Sequence, residues 1–364
     1  LLSINLIDSN SRASSILDFL RFLSALIVFL FHFYVPLPGY QAVMIFFVLS
    51  GYFISSTVLK SVTENRWSWS DYLIKRITRL WVVLIPCLFL TLVWANFQLH
   101  LFGKNEKLLN VLNLETLIGN LFFLQGILVK PYGLNGPLWS LSYEFWYYIM
   151  FPCLVLTIKA KKIRLKVFYA FLLISISFLV GQRITIYFLV WLLGAIIPLI
   201  NPLKISNKYA SYTILTVVTL IAILSTQYST IGWSVSWYSF GHDLSVGLSF
   251  SILIYIVISF YNVKRNSKTN IPNHLASISY TLYLAHYPIA NFVMVWLVSP
   301  LWPFEYTTLT IKLSIAMFVL LYSWLVAKLT ERHTSKVRLK VSQFFNLMRL
   351  QLKNKQKTFS NRTN

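Results

Sequence analysis

The chain has 364 residues, 57% hydrophobic, 17% aromatic and 12% charged, and its 32 Lys and Arg against 10 Asp and Glu give a formal net charge of +22. A soluble domain carries roughly a quarter charged residues, so a soluble enzyme is excluded, as are a disordered tail and a disulfide scaffold. The excess of positive charge calls for an anionic partner, nucleic acid or lipid, and its placement along the chain decides which.

Apolar runs of about 17–25 residues between polar breaks mark membrane spans. They predict ten, at 16–35, 40–59, 79–99, 138–158, 166–181, 184–201, 210–226, 243–261, 275–298 and 306–328. The expected fold class is therefore all-α, a polytopic integral membrane protein. A short segment, 1–15, precedes a membrane domain, 16–329, and a basic tail, 330–364, follows it. The fifth and sixth spans are short and separated only by Gly181-Gln182-Arg183. The apolar piece 117–129 is too short to cross and is expected at the interface or re-entering. No cleavable leader is expected, because the first apolar block is a full span with no small-residue cleavage site after it. Cys87 and Cys153 fall within apolar stretches and read as small buried hydrophobes. No metal-ligand or redox spacing is present.

With the N-terminus on the cytoplasmic side, 26 of the 32 basic residues fall in cytoplasmic segments, ten of them in or beside the tail. Only Lys104, Lys107, Lys130 and Arg183 fall outside, while Arg21 and Lys312 lie within spans. This alternation predicts an N-in, C-in topology by the positive-inside rule. It assigns the charge chiefly to orientation and membrane lipid rather than nucleic acid.

An ionisable group within a span costs at least ~2.5–3.5 kcal/mol on insertion scales, so each needs a reason. Arg21 and His32, eleven residues apart, share a face of the first span at about 100° per residue. Asp18 is placed to pair with Arg21. From the span edges, His32, Glu144 and His286 are expected at roughly 24, 21 and 16 Å above the cytoplasmic boundary. Two imidazoles and a carboxylate from three helices are thus expected to meet. A proton path would use the same groups.

Four further segments stand out. Lys75, Arg76 and Arg79, within DYLIKRITRL, form a basic cluster at the cytoplasmic end of the third span. Guanidinium forks there suit phosphate oxygens, although ordinary interfacial anchoring uses the same residues. MIFFVLSG (44–51) brings Ser50 and Gly51 into a span, where small residues permit close helix contact. NGPLWSLSYEFWYY (135–148) sets Trp139, Ser142 and Glu144 at the outer interface. SYTLYLAHYPI (279–289) aligns Ser279, Tyr283 and His286 on one stripe.

The ordered set of LDFLRFLSALIVFLFH with its Arg-x10-His spacing, FFVLSG, Arg76-x-x-Arg79, GPLWSLSYE and YLAHYP resembles the acyltransferase-3 family of bacterial membrane O-acyltransferases, over about residues 15–330. Phe19 and Phe22 stand where members commonly carry glycine. The resemblance implies transfer of an acyl group, usually acetyl, from cytoplasmic acyl-CoA to a hydroxyl of a cell-envelope glycan or lipid-linked glycan, in the bacterial cytoplasmic (inner) membrane. Acetyl-CoA is then a donor substrate rather than a bound cofactor, docked by Lys75, Arg76 and Arg79. His32 is expected as the base or the acyl carrier, with Arg21, Asp18 and Glu144 beside it. Trp139, Ser142, Tyr283 and His286 are expected to line the acceptor cavity. A proton-coupled transporter or flippase and a non-catalytic assembly protein are the competing readings. No inverted repeat supports the transporter, and no feature specifies an oligomeric state.

Overall fold

The computed structural model describes residues 4–33, 35–227, 237–264, 271–297 and 306–360, and no strand forms among them. In chain order the helices are α1 (Arg12–His32), α2 (Gly39–Thr63), α3 (Trp69–Phe102), α4 (Glu106–Leu109), α5 (Leu114–Leu121) and α6 (Leu138–Lys159). They continue as α7 (Ile163–Ile196), α8 (Lys208–Ser225), α9 (Trp237–Tyr261), α10 (Ile271–Leu297), α11 (Tyr306–Leu329) and α12 (Thr334–Ser360). Polar side chains set the starts. Ser11, Ser68 and Asn207 each accept a hydrogen bond from a backbone N–H in the first turn of α1, α3 and α8, satisfying donors that a helix start leaves open.

Among the described residues, eight helices are long and apolar enough to cross a membrane. They are α1, α2, α3, α6, the stretch 163–199, α8, residues 239–261 of α9 and the stretch 309–345. The expected ninth span corresponds to α10, which does not meet that criterion; its last residue, Val298, lies outside the described residues. Within α7, Gly181 has φ 79° and ψ 171°, a conformation open to glycine and strained for other residues. Thr185 Oγ1 lies 3.1 Å from the carbonyl oxygen of Ser177, eight residues earlier, whereas eight residues of straight helix span about 12 Å. The chain therefore doubles back at Gly181, where the sequence places the boundary between the fifth and sixth spans.

Residues 4–12 identify one end of the bundle. Asn5 N–H bonds Pro198 O at 2.9 Å, Asp8 N–H bonds Asn262 Oδ1 at 3.0 Å and Arg12 N–H bonds Val263 O at 3.0 Å. Trp69 Nε1 donates to Tyr169 Oη at 3.1 Å, so the start of α3 meets the first turns of α7. We call this end the N-face. The opposite end, the far face, carries the α1–α2 turn, the 103–137 connection and the Gly181 turn. Arg265, Lys268 and Arg362, part of the basic census, lie outside the described residues. The tail forms α12, which packs along α3.

Helix α1 packs against α10, and α2 against α6 and α7. The α2–α7 crossing is close because a Cβ on Gly51 would collide with the Trp191 carbonyl oxygen, and one on Gly194 with that of Val48. Both glycines thus let two backbones touch, as small residues do between membrane helices. The outer faces are apolar. Ile163, Val167, Phe168, Phe171, Ile174 and Phe178 all project outward from the first half of α7, a surface suited to hydrocarbon and costly in water. The 117–129 segment folds inward: Trp81 Nε1 donates to Leu121 O at 2.9 Å, and Phe123, 1% exposed, stacks on Phe145 at 4.2 Å.

Candidate active site

Two cavities lie end to end within the bundle. The N-face cavity, about 280 Å³, is lined by Arg21, Arg76, Arg79, Ser50, Glu144 and Tyr280 among others. The far cavity, about 340 Å³, is lined by His32, Tyr40, Trp139, Arg183, Asp243 and Tyr287 among others. Among the described residues, only Val43 and Tyr283 border both. Tyr283 is held in that partition by its hydroxyl, 2.6 Å from Ser140 Oγ and 3.3 Å from Pro137 O.

In the N-face cavity, α1 presents Arg21 and α3 presents Arg76 and Arg79, one turn apart. Arg21 is bonded by Asp18 at 3.1 Å and lies over the Phe53 ring at 4.9 Å. Arg76 donates to Thr57 Oγ1 at 3.0 Å and rests on the rings of Tyr72 and Tyr148. Its buried Nε has no hydrogen-bond partner among the described residues. Arg79 is exposed onto the cavity. Three guanidinium groups thus line one space, and their planar forks have the geometry that matches phosphate oxygens. Lys75, on the same helix, is exposed but off the cavity lining. Asp18 likewise stays behind Arg21 and orients it rather than facing the space.

At the far cavity, His32 at the last turn of α1 meets His286 of α10, which stands behind the lining rather than in it as expected: His32 Nδ1 lies 3.0 Å from His286 Nε2. His286 is fully buried, and its Nδ1 lies 2.8 Å from Leu282 O. A carbonyl only accepts, so His286 Nδ1 carries the proton. In a neutral ring its Nε2 is then an acceptor. His32 Nδ1 must donate to it, which leaves the lone pair of His32 on Nε2. The tautomers follow from this chain of bonds. Tyr287 packs edge-on to His32 at 4.8 Å.

Glu144 does not join this pair. Its carboxylate accepts from Ser50 Oγ at 3.2 Å and from the Tyr148 hydroxyl, and Trp191 Nε1 donates to Ser50 at 3.2 Å. The physical reason is Ser140, one turn earlier on α6. Bonded to Tyr283, it builds the partition and leaves Glu144 on the N-face side. Ser142 also points elsewhere, donating to Phe123 O at 2.7 Å with no exposed surface. Trp139 does line the far cavity, stacked on Tyr40 at 5.6 Å. Three groups had little signal in sequence. Glu331, beyond α11, accepts from Thr281 Oγ1 at 3.0 Å and is in electrostatic reach of Arg79 and Arg21. Arg183 and Asp243 sat at span edges, where charges ordinarily carry no message.

Comparison with known proteins adds an independent line. The family model described as "Acyltransferase domain" matches residues 15–328. The O-acetyl transferase of Shigella phage Sf6 is 25% identical over 313 residues, 77% of this chain and 86% of that protein. An uncharacterised Haemophilus influenzae protein is 30% identical over 125 residues, 33% of this chain and half of its own length. No solved structure matches. With the family model covering the spans that build both cavities, the chain belongs to the acyltransferase-3 family.

Proposed function

We propose that this protein is a membrane O-acyltransferase that moves an acyl group, in the first instance acetyl, from acyl-CoA to a hydroxyl of a cell-envelope glycan. One observation carries the reading: an arginine-lined cavity and a histidine-lined cavity meet at a partition formed by Tyr283 and Val43. The phosphates of acyl-CoA suit Arg76, Arg79 and Arg21, with the thioester directed toward Tyr283. On the far side a sugar hydroxyl gives its proton to His32 Nε2 as its oxygen attacks the thioester carbonyl. The C–S bond then breaks, and the imidazolium returns the proton to the leaving thiolate. A positioned imidazole contributes about 10²–10⁴-fold to such a step. The Sf6 relative's description as an O-acetyl transferase agrees with this chemistry.

The reading includes an orientation in the bacterial cytoplasmic membrane. We count ten passes: the eight long apolar helices, with the 163–199 stretch counted twice because it reverses at Gly181, and α10. The N-face is cytoplasmic, and α12 lies on that side. Support comes from the basic residues: 23 of those expected on the cytoplasmic side are described, and they belong to segments at the N-face in this arrangement. The donor cavity then opens toward the compartment that makes acyl-CoA.

The test is label transfer in proteoliposomes. Purified protein given labelled acetyl-CoA and envelope polysaccharide is expected to label the glycan, and His32→Ala to lose that transfer. Glycan labelling that survives in His32→Ala would remove His32 from the chemistry. Proton-coupled uptake with no labelling would favour a carrier.

A further inference from the structure

The far cavity holds a second group of side chains that the transfer step leaves unused. Arg183 stands at the turn within α7, and His242 and Asp243 lie near the start of α9; all three line the cavity. Asp243 is 3% exposed and is held by a chain of hydroxyls. Tyr40 donates to Tyr187 at 3.2 Å, and Tyr187 donates to Asp243 Oδ2 at 2.5 Å. Its other oxygen lies 3.9 Å from His242 Nδ1, beyond hydrogen-bond distance, and so retains accepting capacity among the described residues. His242 Nε2 is buried and has no hydrogen-bond partner among the described residues. A buried ring nitrogen left so is costly unless something else meets it. Arg183 is in electrostatic reach of Asp243 and of Tyr40.

These groups face the same space as the stacked Tyr40 and Trp139 rings, which lie 5.6 Å apart and 16° from parallel. The combination narrows the ligand. A lipid chain needs no carboxyl or imidazole. A phosphate is attracted by Arg183 but repelled by the buried carboxyl beside it. A pyranose ring offers an apolar C–H face to an aromatic wall and adjacent hydroxyls, each donor and acceptor, to a carboxyl, an imidazole and a guanidinium. Because the Asp243 carboxyl lies within electrostatic reach of Arg183, it offsets the positive charge that an anionic sugar would need.

We propose that Arg183, His242 and Asp243, with the Tyr40–Trp139 wall, form the acceptor subsite for an uncharged pyranose bearing adjacent free hydroxyls, and that Asp243 selects it. The inference rests on the reading that His32 takes its proton from a glycan hydroxyl. It assigns recognition to α2, α6, α7 and α9, apart from the helices that carry His32 and His286.

The test is equilibrium binding to the full-length protein in lipid nanodiscs, read by saturation-transfer NMR. The probes are the methyl glycosides of glucose, galactose, mannose and rhamnose, with methyl glucuronide as the anionic counterpart. At least one neutral glycoside should bind, and methyl glucuronide should bind at least about tenfold more weakly than the best of them. Asp243→Asn should weaken the best neutral glycoside by about tenfold or more, the loss expected for one hydrogen bond to a charged group, while acetyl-CoA binding stays as in wild type. Should Asp243→Asn lose acetyl-CoA binding as well, Tyr40→Ala decides, because it removes the wall and leaves the carboxyl. Binding of none of the four, equal or better binding of the glucuronide, or unchanged affinity in the deciding variant would overturn the proposal. Failure of the transferase reading has a different signature: the glycosides bind in an Asp243-dependent way, yet no glycan ever receives label from acetyl-CoA.

Discussion

Replacing His286 separates a positioning role from a chemical one. His286 contributes one hydrogen bond to His32, at 3.0 Å, from a ring fixed by its own bond to Leu282 O. That bond, with the hydrogen bond of His32 to the Val28 backbone, holds the His32 ring in its orientation. A hydrogen bond of this type is worth about 0.5–1.5 kcal/mol net, and about 1.4 kcal/mol is a tenfold change in rate. His286→Leu should therefore lower kcat by about 2- to 12-fold, well short of the loss of about 10²-fold or more expected from His32→Ala. His286→Gln offers an amide oxygen to His32 Nδ1 and should recover part of the difference. The assay is the initial rate of label transfer in proteoliposomes at saturating acetyl-CoA, with KM for acetyl-CoA measured alongside and expected unchanged. If His286→Leu is as damaging as His32→Ala, His286 takes part in the chemistry and the positioning argument fails. If Leu and Gln both leave kcat untouched, the bond has no consequence for the reaction and His286 has no positioning role.

Other outcomes follow from the same geometry. Arg76→Ala and Arg79→Ala should each raise KM for acetyl-CoA by about 10- to 100-fold, as expected for a lost charge-assisted bond, and leave KM for the glycan unchanged; equal losses for both substrates would reject the donor dock. Tyr283→Ala joins the two cavities, and hydrolysis of acetyl-CoA without glycan should rise relative to transfer; an unchanged ratio would show that the tyrosine is no barrier. Gly51→Ala forces a methyl group onto the Trp191 carbonyl, an overpacking cost of about 1–3 kcal/mol, so the detergent-solubilised protein should unfold several degrees earlier. A wild-type Tm would mean that α2 and α7 do not cross there. Cysteines introduced at Gln182 and Lys204 should react with an impermeant maleimide from opposite sides of the membrane, against a silent background from the buried Cys87 and Cys153; labelling of both from one side would refute the orientation.

Much of the bundle was legible because a span is a local property: twenty apolar residues announce themselves without reference to any neighbour. The reversal at Gly181 was visible as a polar tripeptide, and the pairing of Asp18 with Arg21 as a three-residue spacing. The site was legible along the membrane normal but not around it. Counting residues put His32, Glu144 and His286 near one level, and two of them meet. Glu144 turned out to face Ser50 and Tyr148, because rotation about α6 depends on the Ser140–Tyr283 contact between helices far apart in sequence. Ser142 faced Phe123 for a related reason: the segment it packs against looked merely interfacial when read alone. Asp243 was hidden by its place at the mouth of a span, where a solvated charge is the ordinary expectation.

The distance in sequence between His32 and His286, 254 residues, carries a consequence for biosynthesis. At about 5–20 residues per second, the ribosome needs about 13–50 s to make the intervening chain. Throughout that interval α1 waits in the bilayer without α10, the helix that completes its packing. A lone arginine would be a liability in that waiting period, open to mispairing or to slipping back toward the headgroups. Asp18, three residues away on the same helix, gives Arg21 a partner from the moment the first helix is made. The ion pair that orients Arg21 in the N-face cavity thus also lets the nascent first span be stored, electrically satisfied, until the last helices arrive to close the bundle.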